Sequence, residues 1–142
     1  MAFLIHSVEG GYIPSWEYLP AGAITPKVGM ALYQNAGNLA LASGTTNPTF
    51  ISMTEREAAL TAGDSIPVVR VSEDIIWQTE WSAAATAVKQ GQKVTIHTDG
   101  LTVTATTTGG VAEVVDMDGT AIGDKVRVRL VGPDPTSGGG GG

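Results

Sequence analysis

The sequence contains no cysteine, and this absence excludes several classes of protein at once. A disulfide scaffold, a zinc site with thiolate ligands and a cysteine nucleophile all require that residue. The chain does not need such cross-links, because a single domain of 142 residues buries roughly 68–70% of the surface that its unfolded chain exposes. The sequence therefore predicts one domain with an ordinary hydrophobic core.

Charged residues are also few. The 14 acidic and 8 basic side chains make up 15% of the sequence, against a typical value of ~25%. The net charge of −6 argues against nucleic-acid binding, because such proteins usually carry a basic surplus. A chain this poor in charge exposes neutral polar side chains or covers surface with a partner. Its 17 threonines fit the first option, and we expect the second as well.

Long apolar runs are missing too. Residues 1–5 are too short and lack the basic residues of a signal peptide. The longest stretch without charge, 28–54, has the length of a membrane span but is interrupted by three glycines, three asparagines and Pro48. We interpret it as strands and turns, and we expect no membrane partner.

What the sequence does contain is a series of short β-prone runs separated by turn residues every 8–12 positions. This spacing predicts an all-β fold, a compact antiparallel β-barrel or sandwich, and not a βαβ arrangement. Asn35-Ala36-Gly37 and Asp99-Gly100 each predict a hairpin turn. The runs give about nine or ten strands, at 28–34, 38–42, 49–53, 66–71, 74–81, 93–98, 101–106, 111–116 and 125–130.

Two further local patterns stand out. One short helix is predicted over 54–60, with Thr54 as N-cap and Gly63 beyond its end. A glycine followed by a polar residue precedes a predicted strand three times, at 63–66, 91–94 and 123–126. We interpret this repeated pattern as a tight turn whose polar side chain accepts hydrogen bonds from nearby backbone amides.

Composition divides the chain into three parts. Residues 1–26 are predicted to form an extended N-terminal arm, because glycine and proline interrupt its apolar residues; Tyr12, Trp16 and Tyr18 make it aromatic. Such an arm either wraps its own domain or reaches a neighbouring subunit. Residues 27–131 are the predicted β domain, and residues 132–142 a flexible Pro/Gly-rich tail.

No combination of residues predicts catalysis, a metal site or a cofactor. Ser65 completes a Gly-Asp-Ser run like that of one esterase family. Those enzymes activate the serine with a histidine near the C-terminus, and this sequence has no histidine after His97. His6 and His97 are far apart in sequence, and no clustered carboxylates accompany them. The run 116–119 begins like a calcium loop but lacks the remaining ligands. We therefore predict a protein that is not an enzyme.

Two sets of residues could instead contact a partner. Lys125, Arg127 and Arg129 form a basic stripe, which either pairs with acids such as Glu113 and Asp116 on a neighbouring strand or meets an acidic partner surface. Trp77 and Trp81 lie on one face of a predicted strand. They belong either to the core or a subunit contact, or to a platform that stacks on sugars.

The order of several segments resembles that of small β-rich head decoration (capsid cement) proteins of tailed bacteriophages. The resemblance covers 27–131 and depends on KVGMAL at 27–32, ASGTTNPTFISM at 42–53, GDSIPV at 63–68, KVTI at 93–96 and GDKVRV at 123–128. It implies a β domain on the outer capsid surface that bridges major capsid protein subunits and stabilises the shell. Many such proteins are trimers, and an N-terminal arm often adds contacts.

The expected function is therefore that of a structural virion protein, made in the host cytoplasm, whose partner is the major capsid protein. We expect self-association, with a trimer favoured, and no nucleic-acid partner. Tyr12, Trp16 and Tyr18, together with Lys125, Arg127 and Arg129, are the predicted contact residues. The alternative is another virion or cell-surface β module, either tail-associated or carbohydrate-binding.

Overall fold

The structure, a computed structural model, describes residues 2–131, so the predicted tail at 132–142 lies outside it. The described residues form ten β-strands. Their bounds are β1 Leu4–Val8, β2 Trp16–Pro20, β3 Ala31–Asn35, β4 Asn38–Leu41, β5 Phe50–Ser52, β6 Ser65–Arg70, β7 Ile75–Glu80, β8 Lys93–Val94, β9 Ala112–Met117 and β10 Lys125–Leu130.

The strands build two five-stranded sheets. The first sheet has the order β1-β7-β10-β9-β8, and the second has the order β2-β6-β5-β3-β4. Each pairing of neighbouring strands is antiparallel. The predicted all-β antiparallel class is confirmed, and the arrangement is sandwich-like. The second sheet curls until Ala21, just after β2, forms a bridge to Leu39 on β4, but it does not close into a barrel.

Hydrophobic residues are buried on both faces of the second sheet. Ile51 and Val69 on one face pack with Trp77 of the first sheet in the core between the sheets, which we call the inter-sheet core. Phe50 and Val68, one residue away on the same strands, belong to a second core on the opposite face. Because successive side chains on a strand point to opposite faces, one apolar run supplies both cores.

The hairpin at Asn35-Ala36-Gly37 forms as predicted, since it joins β3 directly to β4. The turn at Asp99-Gly100 also reverses the chain, with the His97 N–H donating to the Thr102 carbonyl at 2.8 Å. The predicted strand over 101–106, however, is reduced to isolated bridges from Val103. The Val103 N–H donates to the Glu80 carbonyl, and its own carbonyl accepts from the Ser82 N–H. The hydrogen bonds of its bridge to Ile96 are made by the neighbouring residues Thr102 and Thr104.

The prediction of a helix at 54–60 is wrong. This segment is irregular, and no helix forms among the described residues. Its backbone donors are used elsewhere, because the Arg56 N–H donates to the Pro26 carbonyl at 2.9 Å and the Leu60 N–H donates to the Ile24 carbonyl at 2.8 Å. Pairing with the neighbouring segment thus replaces the i to i−4 bonds of a short, marginal helix.

In the described part of the chain, no helix is long and apolar enough to cross a membrane.

The glycine pattern produces three equivalent turns. Gly63, Gly91 and Gly123 all adopt left-handed conformations, with φ values of 98°, 91° and 89°. In each turn the following polar side chain accepts a hydrogen bond from the backbone N–H three residues before it. The three pairs are Thr61 N–H to Asp64, Lys89 N–H to Gln92 and Ala121 N–H to Asp124, at 3.3, 2.7 and 3.0 Å. The interpretation of this pattern as a turn before a strand is confirmed.

The segment predicted to be an arm contributes an edge strand to each sheet. Strand β1 pairs with β7 of the first sheet, and β2 pairs with β6 of the second. Phe3, just before β1, is buried in the inter-sheet core. Of the two alternatives for residues 1–26, the geometry thus shows contact with the chain's own domain.

Candidate interaction surface

Exposed apolar side chains are concentrated near the N-terminus of the described chain. Six of its eight large exposed hydrophobic residues lie between positions 4 and 18, on the two edge strands and the loop between them. We call this set the apolar edge; its members are Leu4, Ile5, Tyr12, Ile13, Trp16 and Tyr18. Single exposed hydrophobic residues are ordinary, so it is the concentration of six in one short stretch that makes this region a candidate interaction site.

Three of these side chains share one orientation. Ile5 lies opposite Trp77, and Trp16 lies opposite Val69, in antiparallel register. Directly opposed residues lie on the same face of a sheet, and both Trp77 and Val69 belong to the inter-sheet core. Tyr18, two residues after Trp16, follows the same face. Ile5, Trp16 and Tyr18 therefore lie on the inner faces of the two sheets, on strands at the sheet edges.

The loop between the edge strands, residues 9–15, is fastened to the domain through Asp74. The Tyr12 hydroxyl donates to Asp74 Oδ1 at 2.8 Å, and the Glu9 N–H donates to the Asp74 carbonyl at 2.8 Å. Hydrogen bonds from Ser72 and then Tyr12 lower the pKa of the Asp74 carboxyl, and the bond to Asp74 raises the pKa of Tyr12. Tyr12 is thus held in place although its ring remains accessible.

Strand β2 is fastened by a bidentate ion pair. Arg70 Nε and Nη2 donate to the two carboxylate oxygens of Glu17, each at 2.9 Å, and the Arg70 guanidinium lies 4.9 Å from the centroid of the Phe50 ring. These hydrogen bonds lower the pKa of Glu17 and raise that of Arg70. Glu17 lies between Trp16 and Tyr18, so the pair fixes the backbone that carries both aromatic rings.

The basic stripe lies on β10, an internal strand of the first sheet, and each of its residues has an acidic neighbour. Lys125 pairs with Glu80, and this hydrogen bond lowers the pKa of the Glu80 carboxyl. Arg127 Nη1 lies 2.8 Å from Asp118 and its Nε lies 3.7 Å from Asp116.

Arg129 completes the stripe in the same way. It lies opposite Glu113 in register, but its guanidinium pairs with Glu9 at 3.6 Å and donates to the Glu73 carbonyl at 3.1 Å. Of the two acids that the sequence analysis named as partners of the stripe, Asp116 forms an ion pair with Arg127. All three basic groups are therefore engaged by acids of their own domain.

The two tryptophans that could have stacked on sugars are buried. Trp77 and Trp81 are each 1% exposed within the inter-sheet core, and the Trp81 indole N–H donates to the Gly119 carbonyl at 2.9 Å. The interpretation of these residues as core is confirmed, and the sugar-platform interpretation is wrong for them. The exposed aromatic faces belong to Trp16 and Tyr18 instead, at 52% and 67%.

The residues considered for catalysis or metal binding do not come together. Among residues 2–131, no group of three or more His, Cys, Asp or Glu side chains could hold a metal ion. Asp116 and Asp118, from the calcium-like run, both face Arg127. Asp64, beside Ser65, is engaged in its own turn.

Sequence reasoning selected Tyr12, Trp16 and Tyr18 but missed three members of the apolar edge, Leu4, Ile5 and Ile13. A usable signal was present in the sequence. Gly10-Gly11 and Pro14 divide the apolar residues of this region into two short runs, and these runs form β1 and β2. Neither a protein-family model nor a curated protein matches the chain. The resemblance to phage head decoration proteins therefore stays a prediction.

Proposed function

We propose that this chain is a structural virion protein that binds the outer surface of an assembled phage capsid and stabilises it by bridging major capsid protein subunits. The resemblance over 27–131 supplies the class of partner. The observation that carries adhesion is the apolar edge, which holds six of the eight large exposed hydrophobic side chains in the described residues. In this proposal the protein acts by binding, needs no cofactor and contacts neither nucleic acid nor membrane.

The energetics favour a repeated contact. Full burial of a large apolar side chain stabilises by about 1.5–3 kcal/mol, so Trp16 and Tyr18 alone would give a modest interface. On a shell with many equivalent sites, simultaneous engagement of several modest contacts yields strong overall binding. Because Asp74 and Arg70 already hold the loop and β2 in place, little conformational entropy is lost when the apolar edge docks.

The same surface is compatible with the expected self-association. A trimer is favoured by the resemblance, and a trimeric protein would present three apolar edges to one lattice site. Lys125, Arg127 and Arg129 contribute less in this proposal than the sequence predicts, because each is paired within the domain.

The test uses substitutions in the full chain. Deletion of residues 1–26 would also remove Phe3 and both edge strands, so a loss of binding could reflect unfolding. We expect the Trp16→Ala and Tyr18→Ala variants to lose at least tenfold in affinity for expanded capsids assembled from the major capsid protein, measured by co-sedimentation. Ile122→Ala is the matched control, since Ile122 is equally apolar and 69% exposed outside the apolar edge. Unchanged binding of the two edge variants would contradict the proposal.

Carbohydrate binding is the second candidate, because exposed Trp16 and Tyr18 lie on the same face of β2 and aromatic faces stack on sugar rings. Trp16 is the exposed tryptophan, whereas Trp77 and Trp81 are buried, so a sugar would quench Trp16 fluorescence selectively. A saturable quench by a glycan that is absent in Trp16→Phe would favour this second function over the first.

A further inference from the structure

A cavity of about 410 Å³ opens at one end of the second core. Its apolar walls are Met30, Ile24, Leu41 and Leu101, all of which belong to that core or pack against it. Interiors of proteins are close-packed, so an open, apolar end of a core is an unfilled position. The volume lies in the lower part of the range of ligand pockets, which suits one or two apolar side chains.

The chain also carries an apolar side chain that fits such a cavity. Ile13 is 90% exposed, the highest value among its large hydrophobic residues in the described region. It lies in the loop at 9–15 between two fastened points, the Tyr12–Asp74 hydrogen bond and the Glu17–Arg70 pair. The side chain is therefore presented to solvent from a defined backbone position.

Ile13 does not reach the cavity of its own molecule. The loop precedes β2, whereas the cavity-lining segment with Ile24 follows it. At about 3.3 Å per residue, the five residues of β2 alone separate the two by about 17 Å. The projecting side chain and the cavity thus lie at different places on the surface, and each copy of the chain has one of both.

One cation and one anion lie beside each of the two sites. Lys27 and Asp99 line the cavity, and no ion pair joins Lys27 to another residue within the described part of the chain. The exposed Glu17–Arg70 pair flanks the loop, so it offers an anion for Lys27 and a cation for Asp99. Opposite charges at such rims select the partner and orient it more than they add affinity.

We propose that a second copy of this chain inserts Ile13 into the cavity formed by Met30, Ile24, Leu41 and Leu101. The contact is heterologous, because different surfaces of the two copies meet, and each copy keeps one free loop and one free cavity. Association can therefore continue to a ring or an open chain. The contact is smaller than the ~1,200–2,000 Å² of stable interfaces, so it requires high protein concentration. It does not depend on the proposed capsid function.

The test is sedimentation velocity of the full chain over a range of concentrations. We expect the average mass of the unmodified protein to rise with concentration. Ile13→Asp should weaken this association at least tenfold, and Ile122→Asp, which changes an exposed isoleucine elsewhere, should leave it unchanged. Ala23→Asp, which places a carboxylate on an exposed residue that lines the cavity, should weaken it as Ile13→Asp does. Unfolding midpoints near that of the unmodified chain verify that each variant folds.

Mixing the two deficient variants gives the decisive measurement. The Ala23→Asp chain retains Ile13, and the Ile13→Asp chain retains the cavity, so an equimolar mixture should form pairs and nothing larger. A mixture that stays monomeric, or an Ile13→Asp chain that associates normally, overturns the proposal. An unmodified chain that stays monomeric throughout also overturns it, and a loss of capsid binding by Ala23→Asp would then assign the cavity to the shell protein.

Discussion

The internal strands β7 and β10 and the edge strands β1 and β2 all carry large apolar residues, but their burial is opposite. Along β7 and β10 every second residue is buried, and the residues between them are only partly exposed. Along β1 and β2 no residue is buried, although these strands include four large hydrophobic residues, Leu4, Ile5, Trp16 and Tyr18.

The difference shows which apolar residues are explained by burial within the folded chain and which are not. In β7 and β10 the apolar residues fill the inter-sheet core, and the basic residues between them pair with neighbouring acids. In β1 and β2, Val8 and Leu19 pack against the cores, whereas the four members of the apolar edge on these strands stay exposed. Edge strands with exposed hydrophobic residues are prone to association. Burial within the isolated chain therefore does not account for the exposed apolar side chains of the edge, and the following predictions compare their contribution to stability with that of the core.

The largest effect is expected where the same residue type occurs in both regions. Trp77→Ala removes a side chain that is 1% exposed and should cost about 3–5 kcal/mol of unfolding free energy, because a large cavity remains in the core. Trp16→Ala removes one that is 52% exposed and should cost less than about 1 kcal/mol. Guanidinium unfolding of both variants measures the contrast, and equal losses would contradict the division into core and edge.

The next prediction tests whether residues 2–3 are held in place by their contact with Gly29. Gly29 has a φ of 84°, and a Cβ there would lie 2.6 Å from the Ala2 Cβ and 2.9 Å from the Phe3 backbone. Gly29→Ala should cost about 2–4 kcal/mol, because backbone strain adds to a displacement of buried Phe3.

Gly37→Ala is the matched control for this substitution. Gly37 has a φ of 86° but nothing within 4 Å of the added Cβ, so strain alone should cost about 1–2 kcal/mol. Unfolding curves for the two variants isolate the crowding at Phe3. Equal losses would mean that residues 2–3 leave the core easily and that the start of the chain is not anchored.

A smaller, local effect is expected in the loop at the edge. Tyr12→Phe deletes the hydroxyl that donates to Asp74, so the loop should open more often without a measurable change in global stability. Hydrogen exchange of the Glu9 amide, which is bonded to the Asp74 carbonyl, should accelerate several-fold. The Gly123 amide, bonded to the distant Trp81 carbonyl, should exchange as before. Unaltered exchange at Glu9 would show that Tyr12 does not hold the loop.

Much of the internal structure was predictable because its signals are local. Strict alternation places Ile75, Trp77 and Thr79 on one buried face, and the three Gly-polar turns repeat one hydrogen-bonding pattern. Such features depend on residues within a few positions of each other. The pairing of β1 with β7 joins segments some seventy positions apart, and no local pattern specifies which strands become neighbours.

The predictions that were wrong or incomplete depend on such distant contacts. The predicted helix over 54–60 had suitable capping residues, but backbone N–H groups of this segment donate hydrogen bonds to carbonyls of the segment at 24–26. Proline suggested that residues 1–26 avoid strands, yet Pro20 ends an edge strand, where a missing N–H is tolerated. The exposure of Ile13 and the open end of the second core could not be predicted either, because both depend on contacts between segments that are far apart in sequence.

The smallest expected effect is that of the Glu17–Arg70 ion pair, whose contribution to the free energy of unfolding should depend on pH. Hydrogen bonds from Arg70 hold the pKa of Glu17 below its ordinary value. The pair therefore stabilises the fold at pH values above the pKa of the unfolded chain, and this contribution is lost as the pH falls through the folded pKa. Because both side chains are solvent-accessible, Glu17→Gln should cost only about 0.2–1 kcal/mol near neutral pH and nothing in strong acid. Urea unfolding at a series of pH values measures this loss, with Glu57→Gln, which removes an exposed carboxyl far from the edge strands in sequence, as the control for the change of charge. A Glu17→Gln loss that persists in strong acid would mean that the ion pair with Arg70 is not its cause.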